Sequence, residues 1–191
     1  VLNQKEIQTV DLEQLANHKG SVFGSQGQKQ PSQKRFETNL FSVFMENKKD
    51  AFIVMEAESN KIGNIFIPKG LWSLMKKAPQ IELVASLKNR SLFLVNQYSE
   101  ITKNQKLLKK QIKSLERISG SKKITEWLAL ANDKKFSLLG MSLMENHYDP
   151  RYKKSCLRNR RKIISSIELE DISNHKLEKG AEKIKFIISS L

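Results

Sequence analysis

Two acids follow a short apolar run near the start of the chain. The run covers residues 7–10 and leads directly to Asp11, with Glu13 two positions further on. Side chains at positions i and i+2 of a strand point the same way, so both carboxylates can face one site at the strand's end. The pattern predicts a strand that presents a pair of acids to a ligand.

The segment after these acids is dense in glycines, amides and cations. It contains His18, Lys19, Gly20 and Ser21 in succession, then two further glycines before a Gln-Pro-Ser-Gln sequence at 30–33. Backbone N–H groups and cations just past a strand end are typical of loops that hold an anionic ligand. The same composition also occurs in ordinary long surface loops, so both interpretations stay open at this point.

A second apolar run, at residues 52–55, ends in the acids Glu56 and Glu58 and in Ser59. Its continuous apolar character predicts a buried parallel strand. In phosphate-loop proteins, an acid at the end of such a strand lies near the metal or the attacking group. Many strands end in acids, however, so this pattern alone is not specific.

A helix is predicted from Ser32 onward, because apolar residues recur at helical spacing up to residue 44 and serine is a good N-cap. Lys34 and Arg35 fall in its first turn, where cations oppose the helix dipole. A bound anion would remove that conflict, which makes both side chains candidates for holding a phosphate. The alternative is two solvated charges.

The order of the predicted elements indicates an α/β fold with a parallel sheet and a helical insertion. Strands are predicted near residues 7, 52, 81 and 163, whereas the pattern after residue 99 is helical only up to about residue 146. We expect three parts: an α/β core at 1–100, a basic helical subdomain at 101–160, and a closing strand and helix at 161–191.

The net charge of +14 over 191 residues is concentrated in one segment. Residues 101–162 contain 17 basic and 5 acidic side chains. A field of that kind predicts a polyanionic partner. No apolar run is long enough to cross a membrane, the three histidines show no metal-ligand spacing, and the single Cys156 is interpreted as a passive thiol.

Three stretches together resemble one known family. They are VDLEQLANHKGSVFG followed by QPSQKRFE, then VMEAESNKIGNIFIP, then ENHYDPRYKKS, and they span residues 10–155 in this order. They resemble tRNA 2-selenouridine synthase, whose fold is a P-loop NTPase-like parallel sheet. The resemblance implies a cytoplasmic transferase that converts wobble 2-thiouridine to 2-selenouridine through a geranylated intermediate. Its co-substrates would be geranyl diphosphate and selenophosphate, and no bound cofactor or metal is predicted. Its partners would be tRNAs of the Lys, Glu and Gln type.

The resemblance also implies roles for individual residues. The catalytic candidates are Asp11, His18 and Glu58. The expected substrate-binding residues are Glu13, Gly20, Ser21, Gln33, Lys34, Arg35 and Ser59. The expected RNA-binding residues are His147, Tyr148, Arg151, Tyr152, Lys153, Lys154, Arg158, Arg160 and Arg161, with His147 and Tyr152 contacting the target nucleotide.

The sequence departs from the family pattern in two ways. It contains neither the GxxGxGK[ST] phosphate loop nor the rhodanese-like domain with its catalytic cysteine. We therefore expect a C-terminal portion that is inactive alone and works with a rhodanese-like domain in the same or a separate chain. Ala57 stands where an acid is expected, which leaves the role of Glu56 open. The alternatives are a nucleotide-kinase-like domain and a plain RNA-binding module.

Overall fold

Two short apolar strands pair near the start of the chain. In the computed structural model, which describes residues 1–25, 29–48, 51–57, 59–159 and 162–191, β1 (Gln8–Val10) lies parallel to β2 (Ile53–Met55). The register places Thr9 opposite Val54. Both strands therefore end at the same edge, which is where open α/β sheets bind ligands.

Short helices and a hairpin surround this strand pair. Ser32 caps the longest of these helices, with its Oγ accepting a hydrogen bond from the Arg35 N–H at 3.2 Å. The hairpin is antiparallel and turns at Gly63 and Asn64. The elements are a 3₁₀ helix (Leu2–Lys5), α1 (Leu12–Leu15), α2 (Gln33–Glu46), β3 (Lys61–Ile62), β4 (Ile65–Phe66) and α3 (Lys69–Lys77).

One apolar core joins these elements. Phe36 and Leu12 are fully buried in it, and burial of a large apolar side chain contributes about 1.5–3 kcal/mol. Its buried members are Val10, Leu12, Ala16, Phe36, Leu40, Ile62, Ile65, Ile67 and Met75.

The predicted strands near residues 81 and 163 also form. β5 (Gln80–Ala85) pairs with β6 (Ile163–Leu169), and the Gln80 N–H donates to the Lys162 carbonyl at 2.9 Å. One parallel sheet of four strands was expected. The described residues form three separate two-stranded pairs instead. The strands β1 to β4 have only two or three residues each, so they offer few ladder hydrogen bonds for a further strand.

Helices make up the middle of the chain. They are α4 (Leu87–Gln97), α5 (Ser99–Lys103), α6 (Gln105–Ser114), α7 (Glu116–Ser119), α8 (Ser121–Asn132), α9 (Phe136–Leu143), a π-helical turn (Met144–Tyr148) and α10 (Asp149–Asn159). α11 (Asn174–Ser189) follows β6. Trp127 is fully buried in this region, as expected for a core residue. No described helix is both long and apolar enough to cross a membrane.

The chain divides into two compact units. Unit 1 comprises Val1–Leu83, Arg161–Ile167 and Ser173–Leu191, and unit 2 comprises Val84–Arg160 and Glu168–Ile172. The division between residues 83 and 84 keeps α4 with α9, on which it packs closely: a Cβ added to Gly140 would lie 2.9 Å from the Ser91 Oγ. The boundary expected at residue 100 stays a prediction.

The sequence predicts a helix break at Asp149 and Pro150, because the residue before a proline is disfavoured in the α conformation. This break does not occur. The chain passes from α9 through the π-helical turn into α10, and the Asp149 N–H donates to the Met144 carbonyl, five residues back. A proline inside a regular α-helix would clash with the carbonyl four residues before it. The wider π turn gives the chain a different hydrogen-bond register just before the proline, so the helix continues.

Candidate functional site

Asp11 and Glu13 lie on the short helix α1 rather than on the strand. β1 ends at Val10, and Asp11 caps α1, its Oδ1 accepting from the Gln14 N–H at 2.7 Å. Glu13 follows in the first turn. The expected proximity of the two acids rested on strand geometry, and this reason is corrected: a helical turn brings them together.

Both acids line an open depression with a volume of about 310 Å³. The other lining residues are Gln14, Asn17 and Lys19. Carboxylate, amide and ammonium groups side by side offer both hydrogen-bond acceptors and donors to a polar ligand. The described residues contain no group of three or more His, Cys, Asp or Glu side chains that could hold a metal ion.

The glycine-containing loop folds back onto Glu13. Gly20 has a φ of +65°, and a Cβ at this position would lie 2.5 Å from the Glu13 Oε1. The Lys19 N–H donates to the Gly24 carbonyl at 2.9 Å, and the Ser21 Oγ accepts from the Phe23 N–H at 3.2 Å. Gly20 and Ser21 therefore shape the loop beside the depression.

Glu56 holds the base of this loop in place. It follows β2 directly, and its Oε1 accepts a hydrogen bond from the Glu13 N–H at 2.7 Å. Burial raises the pKa of the Glu56 carboxyl, and the nearby negative charge of Asp11 acts in the same direction, against the hydrogen bonds it accepts. The sequence signal for Glu56 was its place right after a parallel strand, but the departure at Ala57 obscured it.

His18 lies where two backbone turns meet. The backbone N–H of His18 donates to the Glu13 carbonyl at 3.0 Å. A Cβ added to Gly24 would come within 3.0 Å of the His18 Cε1, and one added to Gly63 within 2.8 Å of the Cδ2. Burial lowers the pKa of the imidazole, whose buried Nδ1 has no hydrogen-bond partner among the described residues. The ring is therefore neutral at pH 7.

Gln30 connects three segments around His18. Its Nε2 donates to the carbonyls of Ala16 and Ile62, each at 3.0 Å, and its Oε1 accepts from the Asn64 N–H at 2.7 Å. This side chain fixes the end of α1 against the β3–β4 turn. Nothing in the sequence singled out Gln30, because the pattern of a loop residue does not show which backbone groups need a partner.

Gln33 has a similar structural role, and the substrate contact expected of it stays a prediction. Its Nε2 donates to the Phe66 carbonyl at 2.7 Å and to Glu37 at 2.8 Å, and its Oε1 accepts from the Phe66 N–H at 2.9 Å. The amide thus occupies the backbone edge of β4 as a further strand would. Lys34 and Arg35 beside it are exposed, and no ion pair links either to another described residue.

The sequence also predicts that six side chains converge on one pocket, namely Asp11, Glu13, His18, Ser21, Glu58 and Ser59. The structure places Asp11 and Glu13 in the lining of the depression. Ser59 is exposed, and its Oγ accepts from the Lys61 N–H at 3.1 Å. Glu58 lies outside the described residues. The roles assigned to these residues stay predictions.

His147 occupies the core of the helical region. It is 5% exposed, its Nδ1 lies 2.9 Å from the Ser119 Oγ, and its ring meets those of Trp127 and Tyr148 edge to face. Burial lowers the pKa of His147, and the charge of Arg151 lowers it further. The expected contact between His147 and a nucleotide is therefore corrected, because the ring is not on the surface.

The other expected RNA-binding residues lie on or near the start of α10. Arg151, Tyr152, Lys153, Lys154 and Arg158 are exposed, whereas Tyr148 is half-buried. Arg160 and Arg161 lie outside the part of the chain that the structure describes. Arg90 gave no signal in the sequence, yet it forms two 2.8 Å hydrogen bonds with the Asp149 carboxylate and so ties α4 to the start of α10.

Known proteins similar to this chain share one family. Residues 1–183 match the family described as the tRNA 2-selenouridine synthase AAA domain. The chain belongs to this family. The resemblance in three sequence stretches is thereby confirmed over nearly the whole chain.

Curated tRNA 2-selenouridine synthases align with only part of the chain. The protein of Shewanella frigidimarina (strain NCIMB 400) is 40% identical over 102 residues, which is 52% of this chain and 28% of that protein. The proteins of Cupriavidus pinatubonensis and Hydrogenovibrio crunogenus are 40% and 37% identical over 42% and 48% of this chain. The aligned region spans about a quarter of the length of these synthases. No solved structure matches the chain.

Proposed function

We propose that this chain is part of a tRNA-modifying transferase that converts wobble 2-thiouridine to 2-selenouridine. The family match over residues 1–183 carries the proposal. The depression at the ends of the parallel pair β1–β2 supports it, because open α/β sheets bind their ligands at that edge. In this proposal the pair belongs to a P-loop NTPase-like sheet.

The proposed reaction has two stages. The sulfur of 2-thiouridine attacks the first carbon of geranyl diphosphate, a carbon–sulfur bond forms, and diphosphate leaves. The selenium of selenophosphate then attacks C2 of the base, the ring carbon that carries the sulfur, and geranylthiol leaves. Water cleaves the selenium–phosphorus bond and phosphate is released. Alkylation thus converts a poor sulfur leaving group into a good one. The enzyme must therefore bind a diphosphate and a nucleobase together.

The lining of the depression includes one cation that an anionic co-substrate could contact. This cation is Lys19, whereas the backbone N–H groups of Lys19, Ser21 and Gly24 donate within the loop itself. The neutral imidazole of His18 can accept a proton or contact a phosphate. We propose Asp11, His18 and Glu58 as the catalytic groups, and Glu13, Gly20, Ser21, Lys34, Arg35 and Ser59 as the residues that bind the co-substrates.

The tRNA contacts are proposed on unit 2. Exposed cations on α10 and α6 can neutralise phosphates, which supply most of the sequence-independent affinity for nucleic acid. The proposed tRNA partners are those of the Lys, Glu and Gln type, in the cytoplasm. A rhodanese-like domain in the same or a separate chain would supply the cysteine for selenium transfer.

A domain replacement tests the proposal in cells. The region of a full-length synthase that corresponds to residues 1–183 is replaced by this chain, in a strain whose own synthase gene is deleted. We expect 2-selenouridine to reappear in hydrolysed tRNA by mass spectrometry. The same chimera carrying Asp11→Asn is the matched control and should restore none. A chimera that is made and folded but leaves tRNA unmodified contradicts the proposal.

The isolated chain gives a second test. We propose that the purified 191 residues turn over neither geranyl diphosphate nor selenophosphate on 2-thiouridine tRNA, since the phosphate loop sequence and the rhodanese cysteine are not among them. Turnover by the isolated chain would show that the chemistry resides in other residues. ATP hydrolysis without any tRNA product would favour the nucleotide-kinase-like alternative.

A further inference from the structure

Helix α6 carries four lysines and no acid within ten residues. Its sequence is QKLLKKQIKS. At 100° per residue, Lys106, Lys110 and Lys113 fall within about 60° of arc. These three residues are called the lysine stripe. All three are exposed.

The opposite face of α6 is buried within unit 2. Leu108 is 3% exposed and Ile112 is fully buried. This packing fixes the direction in which the lysine stripe points. The helix rise of 1.5 Å per residue separates Lys106 from Lys113 by about 10 Å along the axis. The stripe is thus a short, straight row of charges on a supported helix.

The charges of the stripe are not neutralised by neighbours. Three other lysines of the same unit are paired: Lys103 with Glu100 and Lys123 with Glu126, both at 2.8 Å, and Lys135 with Asp133 at 3.1 Å. Among the described residues, no acid lies within ion-pair distance of Lys106, Lys110 or Lys113. Three unpaired cations on one helix face repel one another, and a bound anion relieves this repulsion. The lysine stripe therefore favours an external anion.

We propose that the lysine stripe binds the phosphate backbone of RNA and positions it without reading its sequence. The inference rests on the proposed tRNA function and assigns a specific surface to it. Lysine presents a point charge on a flexible stem, which suits phosphates at variable spacing. Helix α6 contains no aromatic residue and no arginine, so it offers neither a stacking platform nor a bidentate fork for base edges.

An anionic membrane is the competing partner for such a surface. Helices that bind at a membrane surface insert an apolar face beside their cations. The apolar residues of α6 do not serve this purpose, because Leu108 and Ile112 are buried within the protein. The observations therefore favour RNA.

The test compares two lysine pairs with equal spacing in helices. K106Q/K110Q removes two charges of the stripe. K179Q/K183Q removes two exposed charges from α11, where Glu178 and Glu182 are interspersed. Filter binding of the complete chain to an unmodified Lys-type tRNA and to an unrelated tRNA is measured from 50 to 200 mM salt, together with binding to phosphatidylserine vesicles. Circular dichroism verifies that all variants fold.

We expect K106Q/K110Q to reduce the slope of log affinity against log salt by about 1.4–1.8, the value for two lost phosphate contacts, with both tRNAs affected alike. The α11 pair should change the slope by much less. An unchanged slope in K106Q/K110Q, an equal loss in both pairs, or vesicle binding as the only property lost overturns the inference. A parent chain that binds no tRNA removes the proposed tRNA role itself, which separates the two failures.

Discussion

The two units satisfy their polar groups in opposite ways. In unit 1, side chains such as Gln30, Gln33 and Glu56 hydrogen-bond to the backbone of other segments. In unit 2, buried side chains bond across helices, as Trp127 does to the Ser142 Oγ at 2.9 Å. Strands of two or three residues leave backbone groups open, whereas helices satisfy their own. Unit 1 should therefore depend on individual polar side chains, and unit 2 on the volume of its core.

Removal of the largest core side chain of unit 2 should have the largest effect. Trp127 is fully buried and contacts His147 edge to face. We expect Trp127→Ala to lower the free energy of unfolding by about 3–5 kcal/mol, measured by urea titration. Hydrogen exchange should locate the loss in α8 and α9. An equal loss of hydrogen-exchange protection in β1 and β2 would show that the two units unfold together. The contrast drawn between unit 1 and unit 2 would then be wrong.

The hairpin turn of unit 1 should be the next most sensitive point. Gly63 has a φ of +60°, and a Cβ there would collide with the Gln30 carboxamide as well as crowding His18. We expect Gly63→Ala to cost about 1–3 kcal/mol in thermal or urea unfolding. Gly70→Ala is the control, because Gly70 lies in α3 with open space around it, and alanine is about 1 kcal/mol better than glycine in a helix. If Gly63→Ala leaves the free energy of unfolding unchanged, this turn does not hold the loop.

The polar contribution of a single amide can be isolated at Gln33. Replacement by leucine keeps the size but removes the bonds to the Phe66 backbone. We expect a loss of about 0.5–1.5 kcal/mol, because Phe66 is half exposed and water can replace part of the bonding. Faster exchange of the Phe66 amide is the specific readout. If exchange at that amide is unchanged, the side chain does not act as a substitute strand.

The smallest expected effect is a pH dependence shared by the two units. Burial lowers the folded-state pKa of both His18 and His147 from 6.5. As pH falls through 6.5, the unfolded chain takes up protons that the folded chain does not, so stability is complete above this pH and decreases below it. His147→Gln should flatten the decrease between pH 7 and 5 for α8 and α9, and His18→Gln should do so for β1 and β2. A pH dependence that is the same in both variants as in the parent chain would contradict both assignments.

Regular patterns of the sequence predicted elements better than sites. The apolar runs at 7–10 and 52–55, and the helical spacing from Ser32 onward, correspond to elements that the structure confirms. The family resemblance is also confirmed. The predicted elements and the family motifs both consist of residues close together in the sequence, where a periodic pattern can be seen directly.

Long-range contacts were not predictable in the same way. The roles of Gln30 and Gln33 depend on which backbone groups of β3 and β4 lie nearby, and the burial of His147 depends on Ser119 and Trp127. The helix through Pro150 depends on a change of hydrogen-bond register that no composition rule shows. Each of these features is decided by tertiary packing.

The π-helical turn at Met144–Tyr148 also sets the rotational phase of helix α10. One residue corresponds to 100° of rotation about a helix axis. Deletion of a single residue from this turn would rotate α10 about its axis by roughly that angle. Arg151, Lys154 and Arg158 would then point in a different direction without any change in their identity. The direction of a charged surface is thus encoded in chain length as well as in residue type.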